Sequence, residues 1–202
     1  MIAVAVDPED QIVPIDFALA EGENNDSWSW FMRHLRVHVL GPSRQICMIL
    51  DRHAGLLEAA EQHISGHPLL VRRWCVRHFA ANFWRRQRKK EVCDMVRSLC
   101  SARTEQHFKE TKKELDKMLN KESKVWLEEQ MDEKSKWALA YDEGGYRYDI
   151  MNTNSVESLN NIFKGVRALS VSGIVEYSFT KCNEYFVKRW NLARERLVVP
   201  DG

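Results

Sequence analysis

As far as Trp74 short continuous or alternating apolar bursts take turns with helical stretches, and beyond it apolar positions recur mostly every three or four residues. That pattern predicts a small β portion followed by a long helical one. Ile2 to Val6 and Ile12 to Ala20, separated by the polar turn Asp7-Pro8-Glu9-Asp10-Gln11, predict an antiparallel hairpin. Asn24-Asn25-Asp26 offers N-caps to a helix whose apolar positions Trp28, Phe31, Leu35 and Val39 end at Gly41-Pro42. A strand from Gln45 to Leu50, a helix from Gly55 to Ile64 stopped by Gly66, and the run Leu69-Leu70-Val71 leading to Trp74 follow. Strand, helix, strand predicts a parallel crossover.

From Val76 to Gln130 there is neither Gly nor Pro, and the pattern is helical throughout. Asp142-Glu143-Gly144-Gly145 closes this block, and Tyr146 to Ile150 reads as a short strand or loop. Two more helices are predicted, from Ser155 to Ala168 and from Ile174 to Arg196. The expected architecture is one α+β domain over 1–202 with a mixed sheet: a sheet portion in 1–75, an all-helical insertion in 76–145, and C-terminal helices in 146–202.

Composition adds bounds. A chain of 202 residues, 44% hydrophobic and 29% charged, is long enough for a sizeable core. The formal net charge is +1, so affinity for nucleic acid depends on where charge is placed. It is placed unevenly: Arg72, Arg73, Arg77, Arg85, Arg86, Arg88, Lys89 and Lys90 stand together without an acid, interleaved with Trp74, Phe79, Phe83 and Trp84. Such a segment either tracks a phosphate backbone or forms a solvated helix face over a core. Five cysteines at irregular spacing, with Cys47 inside an apolar strand, favour reduced thiols in an intracellular protein. No apolar run approaches the ~20 residues that span a bilayer, and the start lacks the basic region of a signal peptide. Neither secretion nor membrane insertion is expected.

Two carboxylates stand out. Asp51 follows Ile46-Cys47-Met48-Ile49-Leu50, at the carboxyl edge of a buried strand, where open sheets form ligand crevices. It is read equally well as a cap of the next helix. Glu157 completes a capping box with Asn154, yet Asn152, Ser158, Asn160 and Asn161 surround it with the polar groups that support a metal ligand. If the two acids meet, two Mg²⁺ or Mn²⁺ ions about 4 Å apart would suit phosphoryl transfer. Such sites need a third carboxylate on an earlier strand, for which the sequence before Ile2 leaves no room. Cys75 and His78 have the spacing of half a zinc site, but no second pair follows and Cys93 and His107 are only conjectural partners, so zinc is not expected.

Several segments are familiar in order. Ile12 to Ala18, Glu21 to Asn24, Ser27 to Phe31, Asp51 to Leu56, Cys75 to His78 and Thr153 to Asn160 together resemble the transposase domain of Mutator-like elements. The resemblance implies a ribonuclease-H-like fold with an acidic triad of the DDE type that cuts and joins DNA at element ends. Asp51 would be the second acid and Glu157 the third, both binding Mg²⁺ or Mn²⁺. The first acid, carried in the family by a central strand just before the hairpin, has no counterpart, so the chain is expected to be N-terminally truncated. Asp7 does not replace it, because the turn it occupies lies at the opposite edge of the family's sheet. Asp16 departs from the family's small apolar residue, while Cys75 and His78 match its signature pair. The implied protein is a nuclear fragment of a Mutator-like transposase that contacts DNA through the basic segment with Lys164 and Arg167, its oligomeric state open. The alternatives are a transposase-derived DNA-binding or regulatory protein without cleavage, and a decayed product that does not fold stably.

Overall fold

Eleven residues of Val, Ile, Phe, Pro, Ala and Asp at the start form two strands, β1 (Ile2–Val6) and β2 (Ile12–Phe17), with helices and a second strand pair after them. The computed structural model describes the backbone of residues 1–7, 9, 11–147 and 150–197, with side chains at all of these except 155–157, 196 and 197. In chain order the remaining elements are α1 (Asn25–His34), β3 (Cys47–Leu50), α2 (Ala54–Glu61), β4 (Val71–Trp74) and α3 (Val76–Gln87). They continue with α4 (Lys90–Ser101), α5 (Glu105–Met118), α6 (Lys121–Gln130), α7 (Asn154–Ile162) and α8 (Val171–Leu197). The α+β class holds. Among the described residues the strands form two two-stranded sheets, β1 with β2 and β3 with β4, where one mixed sheet was expected. The chain divides into two compact units, Ala20–Thr153 and Met1–Leu19 with Asn154–Gly202, and each sheet lies within one of them.

In the unit Ala20–Thr153, the Asn24 side chain accepts the Ser27 N–H at 2.8 Å and starts α1, as its sequence suggests. The last turns of that helix, Leu35–Leu40, are π-helical and end at Gly41 with φ 71°. Arg36, buried there, donates to the carbonyls of Gln62 and Pro68 and so ties down the end of α2. At the other end of α2, a Cβ on Gly55 would come within 2.5 Å of Asn25 Oδ1. The missing side chain lets α1 and α2 close together. The crossover is parallel, as expected, with Cys47 opposite Val71 and Leu50 opposite Trp74.

The helical block breaks into four pieces that no Gly or Pro marks. α3 stops at Arg88, which adopts a left-handed conformation (φ 47°), and Thr104 and Asn120 cap α5 and α6 by accepting from His107 and Ser123 N–H. The pieces wrap a core in which Phe79, Phe83, Leu99, Leu115, Leu127 and Trp137 are fully buried. Trp137 stacks on Phe79 at 4.7 Å between ring centres, and its indole N–H donates to the Gln130 carbonyl at 2.9 Å. Beside this core runs a charged network. Arg73 donates through Nε to Asp142 Oδ1 at 2.5 Å, the Arg147 N–H donates to Asp142 Oδ2 at 3.1 Å, and the buried Arg147 guanidinium donates to the Trp74 carbonyl at 3.1 Å.

In the other unit the hairpin carries a bulge. Ala3 faces Asp16 and Val4 faces Pro14, which leaves Ile15 as the extra residue. Pro14 has no N–H to give the ladder, and a bulge is where a strand tolerates it. Asp7 shapes the turn by accepting the N–H groups of Glu9 and Gln11, and Asp16 accepts the N–H of Phe17 at 2.8 Å. Phe17 packs on Phe163, and Phe163 on Tyr177. The helix expected over 155–168 stops after Ile162 and resumes as a single 3-10 turn, Val166–Ala168. Ser170 Oγ then accepts the Gly173 N–H and starts α8 a few residues earlier than expected. Tyr148 and Asp149, within the expected short strand or loop, lie outside the described residues. Among the described residues, no helix is long and apolar enough to cross a membrane.

Candidate functional site at the ends of β3 and β4

The parallel pair sets the site. Leu50, the last residue of β3, is buried, and its carbonyl accepts the N–H of Cys75 at 2.9 Å across the pair. The chain therefore leaves β3 at Asp51 and β4 at Cys75 side by side, and α3 starts one residue later. His78, in the first turn of α3, is carried back toward Asp51, with His78 Nε2 at 3.8 Å from Asp51 Oδ2. Asp51 is half exposed, and its Oδ1 accepts the N–H of Arg52 at 2.6 Å. It does not cap α2. The residue at that cap is His53, which makes no side-chain bond to the helix.

Cys75 is buried and richly hydrogen-bonded. Burial alone would raise its pKa, but bonds from His78 and from the Thr153 N–H and hydroxyl outweigh it and bring the thiol down from 9.0 to about 7. Both Thr153 donors lie 3.3 Å from the sulfur. The bond to Cys75 in turn raises the pKa of His78 against its own burial, with Asp51 adding to the rise. Both shifts run toward the thiolate and the imidazolium, and the Nε2 edge of the ring faces a carboxylate. The segment before α7 is fastened here as well, because the Met151 carbonyl accepts the N–H of Val76 at 2.8 Å.

Arg52 and Thr153 are the residues that spacing did not single out. The Arg52 guanidinium lies 4.2 Å from the ring centre of Trp74 and 5.5 Å from that of Trp126, and this clamp holds the loop that presents Asp51. A sequence signal existed for Thr153, which stands in the Thr153-to-Asn160 run, but none for Trp126, which comes from α6.

The two expected metal ligands fare differently. Asp51 offers one carboxylate oxygen that no backbone group occupies, a hard donor of the kind Mg²⁺ and Mn²⁺ accept. Glu157 lies in the first turn of α7, in the other unit, and its side chain is outside the described residues. Among the described residues, no group of three or more His, Cys, Asp or Glu is arranged to hold a metal ion. Of the conjectural zinc partners, Cys93 is buried and donates to the Ala80 carbonyl, and His107 is exposed at the start of α5.

The basic segment also separates. Arg73 is a correction: it is 6% exposed and spends its guanidinium on Asp142 and on the Arg72 and Glu143 carbonyls, so it is unavailable to a phosphate. Arg72 pairs with Glu61, and Arg86 lies over Trp126 while donating to the Asn82 carbonyl. Arg77, Arg85, Arg88, Lys89 and Lys90 are exposed, with the half-exposed Trp84 among them. Lys164 and Arg167 are exposed in the other unit, and Arg167 donates to Asn160 Oδ1 at 3.0 Å.

The sequence model of the family described as Transposase, Mutator family, matches residues 1–175. No curated protein matches the chain.

Proposed function

The chain belongs to the Mutator family of transposases, and from that premise we propose that it carries the residues of a divalent-metal-dependent centre for cutting and joining DNA. In this reading the fold is of the ribonuclease-H type and acts as one catalytic-type domain, with a helical insertion between its two assigned acids. Asp51 and Glu157 hold Mg²⁺ or Mn²⁺, and the protein works on DNA in the nucleus. The observation that carries the reading is the position of Asp51: a half-exposed carboxylate at the carboxyl end of a parallel pair, fixed on one side by the Arg52 N–H and faced on the other by His78.

A bound divalent ion would polarise the attacking oxygen and stabilise the leaving one. What the chain itself contributes is placement and charge. Arg52, clamped between two indoles, keeps the Asp51 loop in one position. His78 orients the carboxylate through its Nε2 edge. Arg77, at the start of α3 next to the site, and Arg85, Arg88, Lys89 and Lys90 beyond it offer cations to a phosphate backbone without reading bases. Lys164 and Arg167 add to this from the other unit.

Titration calorimetry with Mn²⁺ tests the centre directly. Asp51→Asn and Glu157→Gln are each expected to weaken binding at least tenfold, and an unchanged affinity in both would remove the assignment. Salt-dependent DNA binding should lose about one unit of slope for each of Arg85 and Arg88 replaced by Gln. DNA binding that persists in EDTA, with no nicking in Mn²⁺, would leave a DNA-binding protein without cleavage.

A further inference from the structure

α8 is 27 residues long and has two unlike faces. On one, Tyr177 packs on Phe163, while Arg189, at the border between the two, donates to the Ile12 carbonyl and approaches Asp7. On the other stand Val171, Val175, Phe179, Phe186 and Trp190, exposed by 67, 58, 74, 53 and 66%. The half-buried Cys182 and the exposed Ala193 complete the row. Its spacing is four, four, three, four, four, three, which repeats after 11 residues, from Val171 to Cys182 to Ala193. An 11-residue repeat advances 3.67 residues per turn, so these positions stay on one face along nearly the whole helix, with the right-handed supercoil such a repeat gives. None of the seven is charged. A seam of this kind is what a helix shows when it buries one face against another helix.

The row also fits itself. Read backwards about Cys182, the spacing is the same to within one residue. Two copies laid antiparallel about a twofold axis would set Cys182 against Cys182, Phe179 against Phe186, Val175 beside Trp190, and Val171 against Ala193. Aromatics then meet near the centre, and large residues meet small ones toward the ends. A twofold interface requires this kind of self-complementarity. The area available reaches the lower bound for a specific interface. Aromatic side chains bury about 150–250 Å² each, so at these exposures three of them with the two valines offer roughly 500 Å² per copy, or about 1,000 Å² for the pair.

We propose that α8 is a homodimerisation helix, pairing antiparallel with α8 of a second copy along Val171, Val175, Phe179, Cys182, Phe186, Trp190 and Ala193. The pairing does not depend on whether the centre at Asp51 cleaves DNA. Sedimentation of the purified chain at tens of micromolar should give twice the 23.7 kDa chain mass. Phe186→Glu with Trp190→Glu should give the single-chain mass with an unchanged circular dichroism spectrum, since both side chains are exposed. A short bismaleimide, each end adding one thiol across its double bond, should join two wild-type chains and fail with Cys182→Ser. In a Cys182→Ser background, Val171→Cys chains should couple to Ala193→Cys chains and not to one another. A single-chain mass for the wild type at every concentration, a dimer that survives the two glutamates, or coupling among Val171→Cys chains alone would each overturn the proposal.

Discussion

The unit Ala20–Thr153 and the unit built from the two ends of the chain are held together by different means. In the first, an unbroken core from Trp74 to Ala138 excludes solvent from Phe79, Phe83, Leu99, Leu127 and Trp137, and a buried Arg73–Asp142–Arg147 network lies beside it. In the second, the buried side chains among the described residues are Pro14, Leu159, Phe163 and Val166, while both strands are otherwise half exposed. A unit of that size buries a smaller fraction of its surface on folding and is correspondingly marginal. The contrast teaches where each unit gets its stability: the helical one from a continuous core, the terminal one from a few contacts around Phe163.

The largest expected effect comes from a pair of truncations, one in each unit. Trp137→Ala should cost about 4 kcal/mol in denaturant unfolding, because the ring touches Phe79 and Phe108 and its N–H leaves the Gln130 carbonyl unpaired. Phe163→Ala should cost about 2 kcal/mol, since its neighbours Phe17 and Tyr177 are themselves partly open and can close on the gap. Equal costs would mean that the two units are packed alike.

Next in size is Asp142→Asn. It keeps the shape but removes the charge that faces Arg73 and the acceptor that receives the Arg147 N–H, leaving a buried guanidinium without its counter-ion. A loss of about 3 kcal/mol is expected in the same unfolding measurement. A loss under about 1 kcal/mol would show that the network is incidental and that the aromatic core alone holds this unit.

Asp142 also shows what the sequence did and did not make legible. The hairpin, the parallel crossover and the caps at Asn24 were readable because each rests on neighbours in the chain. Arg73 and Asp142 are 69 positions apart, and nothing in either neighbourhood says that they pair, so Arg73 read as a phosphate contact and Asp142 as a turn residue. The breaks in the helical block were hidden for a local reason: Arg88 holds a left-handed conformation that glycine would have advertised. At the site, Asp51, Cys75 and His78 were legible as residues at strand ends and on a first helical turn. Their connection through Thr153, and the Arg52 clamp on Trp126, required the fold.

The smallest effect sharpens the comparison from inside the well-packed unit, where two buried thiols behave oppositely. Cys100, enclosed by the helical core, is pushed far up by burial, whereas Cys75 is brought to about 7 by His78 and Thr153 despite burial. Thiolate absorbance at 240 nm should therefore show one step near pH 7 that Cys75→Ser abolishes and His78→Gln moves up toward 9. A step that stays near 7 in His78→Gln would place the cause elsewhere. The stability consequence has a definite sign. Between about 7 and 9 the unfolded thiol keeps a proton that the folded one has lost, so the Cys75 contribution is fully present above 9 and disappears as pH falls through about 7. His78 runs the other way, its contribution being complete below 6.5 and lost as pH rises through its elevated value. Because the two oppose each other where they overlap, the net change should stay under about 2 kcal/mol. The absorbance step, which follows one proton at one sulfur, separates what the unfolding curve adds together.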